Sequence, residues 1–250
     1  MLPSLCAAVL LATASAAHGH TSAPAGHPLG VQSIDAYAEG SALHLLTVEY
    51  EAPDKAPTIK YSSSTDGGAS FSQARNIDQE LPPIAYANRG NDIPLAARGN
   101  RILALWPGKG KGYRGSGPAI VSTSDDNGRT WLAGDTPADD GTQNGHRFLA
   151  AVADVRGDFH AVWLDNRTGM QALYHAGSSD GGKTWTANVT VDSATCECCW
   201  NRIAAAPDGA LYVLYRGKAP RDMALAVSHD SGKTWARRLS LGGFDWMINL

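Results

Sequence analysis

Three thiols fall within four positions of the segment "TCECCWNR", at Cys196, Cys198 and Cys199. Soft thiolates suit Cu(I) or Zn(II), and Cys196 with Cys199 has the two-residue gap found in metal sites. A full zinc signature needs a second ligand pair, and none follows. His146 and His175 would complete a set only through folding. The same cysteines would also serve as a disulfide in an oxidising compartment, leaving one odd thiol. Both chemistries stay open at this point. No cofactor is required by the sequence, and a soft metal, Cu or Zn, is the candidate if one is held.

What must position these residues is a repeat. The short motif Ser-x-Asp-x-Gly-x-Thr/Ser-Trp/Phe occurs four times, as "STDGGASF", "SDDNGRTW", "SSDGGKTW" and "SHDSGKTW". Its aspartates are Asp66, Asp126, Asp180 and Asp230, spaced 60, 54 and 50 residues apart. Before each motif lies a second turn, at Gly40, Gly99, Gly157 and Gly209. Apolar runs such as "RILALW", "FHAVWL" and "LYVLY" follow those glycines, and others such as "PAIVST" and "MALAVS" lead into the Asp motifs. Each repeat of some fifty residues therefore predicts four strands, the content of one β-propeller blade. The expected fold class is all-β.

Within each turn, the carboxylate accepts nearby backbone N–H groups. The glycines Gly68, Gly128, Gly182 and Gly232 take positive φ. The closing Phe71, Trp131, Trp185 or Trp235 is expected to pack where one blade meets the next. The four aspartates are thus read as fasteners and not as catalytic acids, because catalysis needs different roles at one place.

At these residues the chain resembles the Asp-box (BNR) repeat proteins of the sialidase-like superfamily, over roughly Val31 to Trp235. The segment "CECCWNRIAAAPDG…LYRG…RDMALAVSHD" is similar to a group of exported bacterial sialidase-like proteins. The resemblance implies six or more blades, of which four are visible. The chain stops at "GGFDWMINL", where a further blade would begin. A truncated frame, a fragment, or a ring completed by another chain through self-association is therefore expected. Sialidases of this superfamily use three arginines, a Tyr–Glu nucleophile pair and an acid/base Asp. The early Arg-Ile-Pro of that pattern is absent here, since Arg75 is the first arginine and follows the first box. Tyr215, Glu197, Asp165 and Asp54 are weak catalytic candidates that no motif assigns. A glycosidase needs two groups at a defined separation, which sequence does not show.

Blade geometry puts the Asp boxes on one face. The loops opposite hold Arg89, Arg114, Arg147, Arg167, Arg202, Arg216 and Arg221, half of the chain's fourteen arginines, with Lys109 and Lys111. Arg147 and Arg202 begin first strands in successive blades, and Arg89 sits comparably. Guanidinium groups bind carboxylates bidentately, so Arg89, Arg147, Arg202, Arg216 and Arg221 are candidates for an anion- or glycan-binding site. Alternatively they pair with Asp92, Asp154, Asp165, Glu197 and Asp222 and stitch the blades together. Two function classes follow: a binding propeller, or a glycoside hydrolase of sialidase type. A metal-binding propeller is a third.

The amino terminus, "LCAAVLLATASAA", is short, apolar and closed by small residues, as in an export signal over residues 1–17. A leader over 18–30 and the propeller over 31–250 would follow, in the periplasm or outside the cell. No segment long enough to span a bilayer is expected in the mature chain. Cleavage after Ala17 would expose His18-Gly19-His20, a pattern suited to Cu(II). The formal net charge of −3 argues against nucleic-acid binding.

Overall fold

The computed structural model describes residues 29–52, 55–85, 90–112 and 115–241. They form four antiparallel four-stranded sheets, each in chain order, so hairpins connect the strands within a blade. Blade 1 holds β1 (Gly30–Glu39), β2 (Ala42–Tyr50), β3 (Thr58–Ser64) and β4 (Arg75–Asn76). Blade 2 holds β5 (Leu95–Arg98), β6 (Arg101–Lys109), β7 (Ser116–Ser124) and β8 (Leu132–Gly134). Blade 3 holds β9 (Arg147–Ala153), β10 (Phe159–Asp165), β11 (Ala172–Ser178) and β12 (Val189–Asp192). Blade 4 holds β13 (Arg202–Ala205), β14 (Leu211–Arg216), β15 (Met223–Ser228) and β16 (Ala236–Leu241). The first strands β1, β5, β9 and β13 pack on one another in succession. This is a β-propeller arrangement around a shared axis.

Burial along each strand follows from how many neighbours its blade has. Every residue of β10 and β11 is buried, because blade 3 is covered on both faces. Strand β1 alternates exposed with half-buried from Ser33 onward, because one face lacks a described neighbour. Three apolar clusters fill the blade interfaces. Leu46, Val48 and Ile59 meet Ile102, Ala104 and Trp106 between blades 1 and 2. Leu103 and Leu105 point the other way from β6, to Phe159, Trp163 and Tyr174 of blade 3. Val162, Leu164 and Leu173 meet Val213, Tyr215 and Ala226 between blades 3 and 4. The period-two alternation of β6 and β10 thus feeds two cores from one strand.

The Asp boxes clip these layers together. In the second box, Asp126 accepts the N–H groups of Arg129 and Thr130, both at 2.9 Å, and the Thr130 hydroxyl at 2.6 Å. The Ser124 hydroxyl donates to Asp126 at 2.8 Å and accepts the Gly128 N–H at 2.9 Å. The other three boxes repeat the serine, aspartate and hydroxyl contacts. Trp131, Trp185 and Trp235 each pack on the interface with the preceding blade. Phe71 departs from expectation: it is exposed, since no described sheet lies on that side of blade 1.

Beneath the fourth box lies a buried histidine pair. His160 Nδ1 and His175 Nε2 are 3.1 Å apart, the rings stack, and Trp235 meets His175 edge-on. Burial, then the neighbouring His160, pushes the His175 pKa down to about 3. Burial also lowers His160, although Asp154 opposes this. An unfolded imidazole titrates near 6.5. Below that value the unfolded chain takes up protons that the folded pair refuses, so stability is full above about pH 6.5 and falls toward pH 3. The urea midpoint should therefore report a loss of about 2 kcal/mol between pH 7 and pH 5. A His175→Gln variant should show a flatter profile over that window. A flat profile in the parent would show that the pair titrates normally.

Candidate functional site

The two rims of the propeller are distinct. On one, Asp-box turns bond to the turns that join first and second strands: Gly67 N–H donates to the Ser41 carbonyl and Asn127 N–H to that of Asn100, both at 3.0 Å. On the other, the link from blade 3 to blade 4 bonds to second-to-third-strand loops. Thr195 N–H donates to the Gln171 carbonyl at 3.0 Å, Cys196 N–H to that of Arg216 at 3.0 Å, and Lys218 N–H to that of Ala194 at 3.1 Å. The thiols and the starts of β9 and β13 therefore lie opposite the boxes.

At the axis this second rim gathers charge of both signs around an exposed tryptophan. Trp200 is 45 % exposed. Its indole N–H donates to Asp92 Oδ2 at 2.7 Å, and its ring meets Phe148 edge-on at 5.7 Å. Arg147 carries its guanidinium over the Phe148 ring, 5.1 Å from the centroid. The register of β9 against β10 shifts here, and Phe148 takes φ 52°. A local bulge of this kind re-aims the adjacent side chain, which is Arg147. Phe148 N–H is held by the Gly90 carbonyl at 2.8 Å, and Asn201 Nδ2 donates to the Phe148 carbonyl at 2.9 Å.

Asp92 and Asp35 are the acidic members. Burial raises the Asp92 carboxyl and Asp35 adds to that, while the Trp200 N–H, Arg202 and Arg147 work against it. Asp35, on β1, is also raised by burial, with the Leu95 N–H and Arg202 opposing. Arg202 on β13 thus acts electrostatically on carboxylates of blade 1 and of the link before blade 2. Two cations, two carboxyls and one ring form the candidate ligand site.

Beside it, the three sulfurs converge. Cys196 Sγ lies 3.0 Å from Cys199 Sγ and 3.5 Å from Cys198 Sγ. The Arg216 guanidinium is buried beneath them, with Nη1 3.7 Å from Cys199 Sγ. Burial acts to raise the Cys196 thiol, but hydrogen bonds from the Cys199 thiol, the Cys198 N–H and the Cys198 thiol outweigh it and hold the thiol low. Burial and the neighbouring Cys196 push Cys199 up to about 12.

Several sequence candidates stand elsewhere. Arg216 supports the thiols and does not open onto the axial site. Arg221 caps Arg216 through its carbonyl oxygen, which accepts from Nε and Nη2 at 3.3 Å. Tyr215 does not fit a nucleophile: its ring is core, and its hydroxyl donates to Asp192 at 2.7 Å, with the pKa raised by burial and that carboxylate. Asp165 is buried against Arg167 and the Trp163 indole N–H. Glu197 is exposed and paired with Lys218 at 2.7 Å. His146 and His175 do not join the sulfur group. Asp54, Arg89, Arg114, Cys6 and His18-Gly19-His20 lie outside the described residues.

A second cluster, Asp140, His146 and Asp165, has ligand-like spacing. His146 Nδ1 accepts the Ala119 N–H at 3.2 Å, so the ring proton sits on Nε2, facing Asp140 at 3.2 Å. A metal-binding imidazole instead donates from its other nitrogen. The arrangement suits an acid-paired structural histidine. Sequence reasoning missed Asp35 and Trp200. An acid breaking the apolar alternation of "SIDAYAE" was the available signal for the first; a tryptophan directly after the thiols was that for the second.

A family model described as a BNR repeat-like domain matches residues 7–243. The chain belongs to the BNR repeat-like family. No curated protein matches it. This BNR propeller is similar to solved sialidases and lectins. The Trypanosoma rangeli sialidase shares 18 % identity, with a TM-score of 0.53 over 85 % of this chain and 39 % of that one. The intramolecular trans-sialidase from Ruminococcus gnavus, solved with oseltamivir carboxylate, shares 14 %, with a TM-score of 0.57 over 85 % of this chain and 71 % of that one. The Aleuria aurantia lectin, solved with alpha-methyl-L-fucoside, shares 11 %, with a TM-score of 0.58 over 86 % of this chain and 64 % of that one. At these identities the likeness is one of fold. That lectin is described as a six-bladed β-propeller. The chain spans 47 % of the Hadza microbial sialidase Hz136 and 39 % of the T. rangeli enzyme. Among the described residues, no helix is long and apolar enough to cross a membrane.

Proposed function

We propose that this BNR propeller is an exported carbohydrate-binding protein that takes an acidic glycan at the axial rim opposite the Asp boxes. The exposed, immobilised Trp200 beside Arg147 and Arg202 carries the reading. A sugar ring presents C–H groups on one face, and a fixed indole offers them a flat apolar platform at little entropic cost. Arg147 and Arg202 supply guanidinium groups for a carboxylate. Asp92 and Asp35 accept sugar hydroxyls and oppose a simple inorganic anion, which favours a ligand with both kinds of group. The sialidase and fucose-lectin neighbours support a glycan as the ligand class.

Isothermal titration against sialylated, fucosylated and neutral glycans tests this. Trp200→Ala should weaken every bound glycan by at least about tenfold, roughly 1.4 kcal/mol. Arg147→Ala and Arg202→Ala should weaken only the acidic ones. Equal binding by all four proteins sinks the proposal.

One observation favours a second reading, hydrolysis of sialidase type. Burial raises both Asp92 and Asp35 from their ordinary values, and Asp35 raises Asp92 further; carboxyls with raised pKa serve as general acids. A fluorogenic sialoside would be cleaved by the parent and not by Asp92→Asn if this holds.

A further inference from the structure

We propose that Cys196, Cys198 and Cys199 form a three-coordinate thiolate site for monovalent copper, next to the glycan site. The geometry of the sulfurs is the first ground. All three lie within 4.8 Å of one another in one loop, and a disulfide would use only two of them. Thiolates about 2.3 Å from a common metal sit about 4 Å apart. Sulfur separations of 3.0 and 3.5 Å therefore need only a small opening to admit the ion.

Rigidity is the second ground. The loop is tied before the thiols by Thr195 to the Gln171 carbonyl, at the first thiol by Cys196 N–H to the Arg216 carbonyl, and after them by Trp200 to Asp92. Cys196 and Cys199 are buried, and Cys198 is half-buried, leaving one side for entry. Soft ligands on a held loop select soft ions.

Charge decides between ions. Loading releases three protons: one cuprous ion and three thiols give a tris-thiolate complex of charge −2 and three protons. The zinc equivalent carries −1 and takes a fourth ligand, which among the described residues no His, Cys or carboxylate of that cluster supplies, so water would have to fill it. The buried Arg216 guanidinium, 3.7 Å from Cys199 Sγ, stabilises the more anionic complex.

The full chain carrying Cys6→Ser would be reduced, freed of reductant without oxygen, and titrated with the acetonitrile complex of Cu(I) against bathocuproine. Native mass spectrometry should show one copper per chain with loss of the thiol protons. Cys198→Ser, the least buried change, should weaken Cu(I) by about 100-fold, and Cys196→Ser and Cys199→Ser at least as much, with unchanged circular dichroism. Arg216→Lys should retain binding better than Arg216→Leu. Serine variants that bind copper like the parent would overturn the site. So would a Cys196–Cys199 disulfide that re-forms after reduction and leaves no one-to-one complex. Preference for Zn(II) over Cu(I) would overturn the choice of ion.

Discussion

Gly232→Ala is expected to lower stability by about 3 to 5 kcal/mol, whereas Gly209→Ala should cost only about 1 to 2. The backbone is nearly the same at both positions, with φ of 83° and 85°. Each alanine therefore meets the same penalty for a left-handed conformation. Their surroundings differ. A Cβ at Gly209 meets nothing within 4 Å, while one at Gly232 would overlap the His175 ring, with Nδ1 at 2.5 Å. That ring is locked between His160 and Trp235 and has no free side to retreat to. The clash must open the interface between blades 3 and 4. Urea unfolding of the two variants gives the comparison directly. Equal losses would mean that the fourth box is held by its backbone alone and not by contact with the preceding blade.

Arg167→Leu should cost about 3 to 5 kcal/mol through a different cause, a buried carboxylate left without its cation. Arg167 Nη2 donates to Asp165 Oδ2 at 2.7 Å and Nε to both carboxylate oxygens at 3.0 and 3.1 Å. Nη1 donates to Asp139 at 2.7 Å and to the Asn188 amide oxygen at 2.9 Å, and the guanidinium lies 4.2 Å from the Tyr174 ring centroid. This one side chain links the end of β10 to the link that precedes blade 3 and to the β11–β12 connection. Arg167→Lys should recover only part of the loss, since an ammonium neither forks nor stacks as a guanidinium does. Adding Asp165→Asn to Arg167→Leu should restore about 1 to 3 kcal/mol, because the stranded charge is then removed. Additive losses in the double variant would show that the pair is not energetically coupled.

These results bear on how far residue order foretells this molecule. The boxes were legible because each is local. Asp126 satisfies N–H groups three and four residues on, so the spacing within the motif is itself the hydrogen-bond pattern. The strands of blades 2 and 3 were legible because β6 and β10 alternate their contacts between two neighbouring layers. Arg167 shows the limit. It counted among the cations of the functional face, yet Asp165, only two residues away, takes it up in a structural fork. Tyr215 and Arg216 were likewise noticed for their chemistry and proved to be buried. Whether a polar group faces a ligand or a core depends on burial, which is set by whatever blade packs above it.

Sequence by itself determined the blade: its length, its four strands, its fastening turn and the face that the thiols occupy. These follow from periodicity and from hydrogen bonds between residues only a few positions apart. Tertiary structure alone decided which groups converge at the axis. Asp35, Asp92, Arg147 and Trp200 come from four separate segments, two strands and two blade links, up to 165 positions apart, and no local pattern encodes their meeting. First strands of successive blades and the links that lead into them bring these groups together only once the blades stack, because the Coulomb and packing forces that join them act through space and not along the chain.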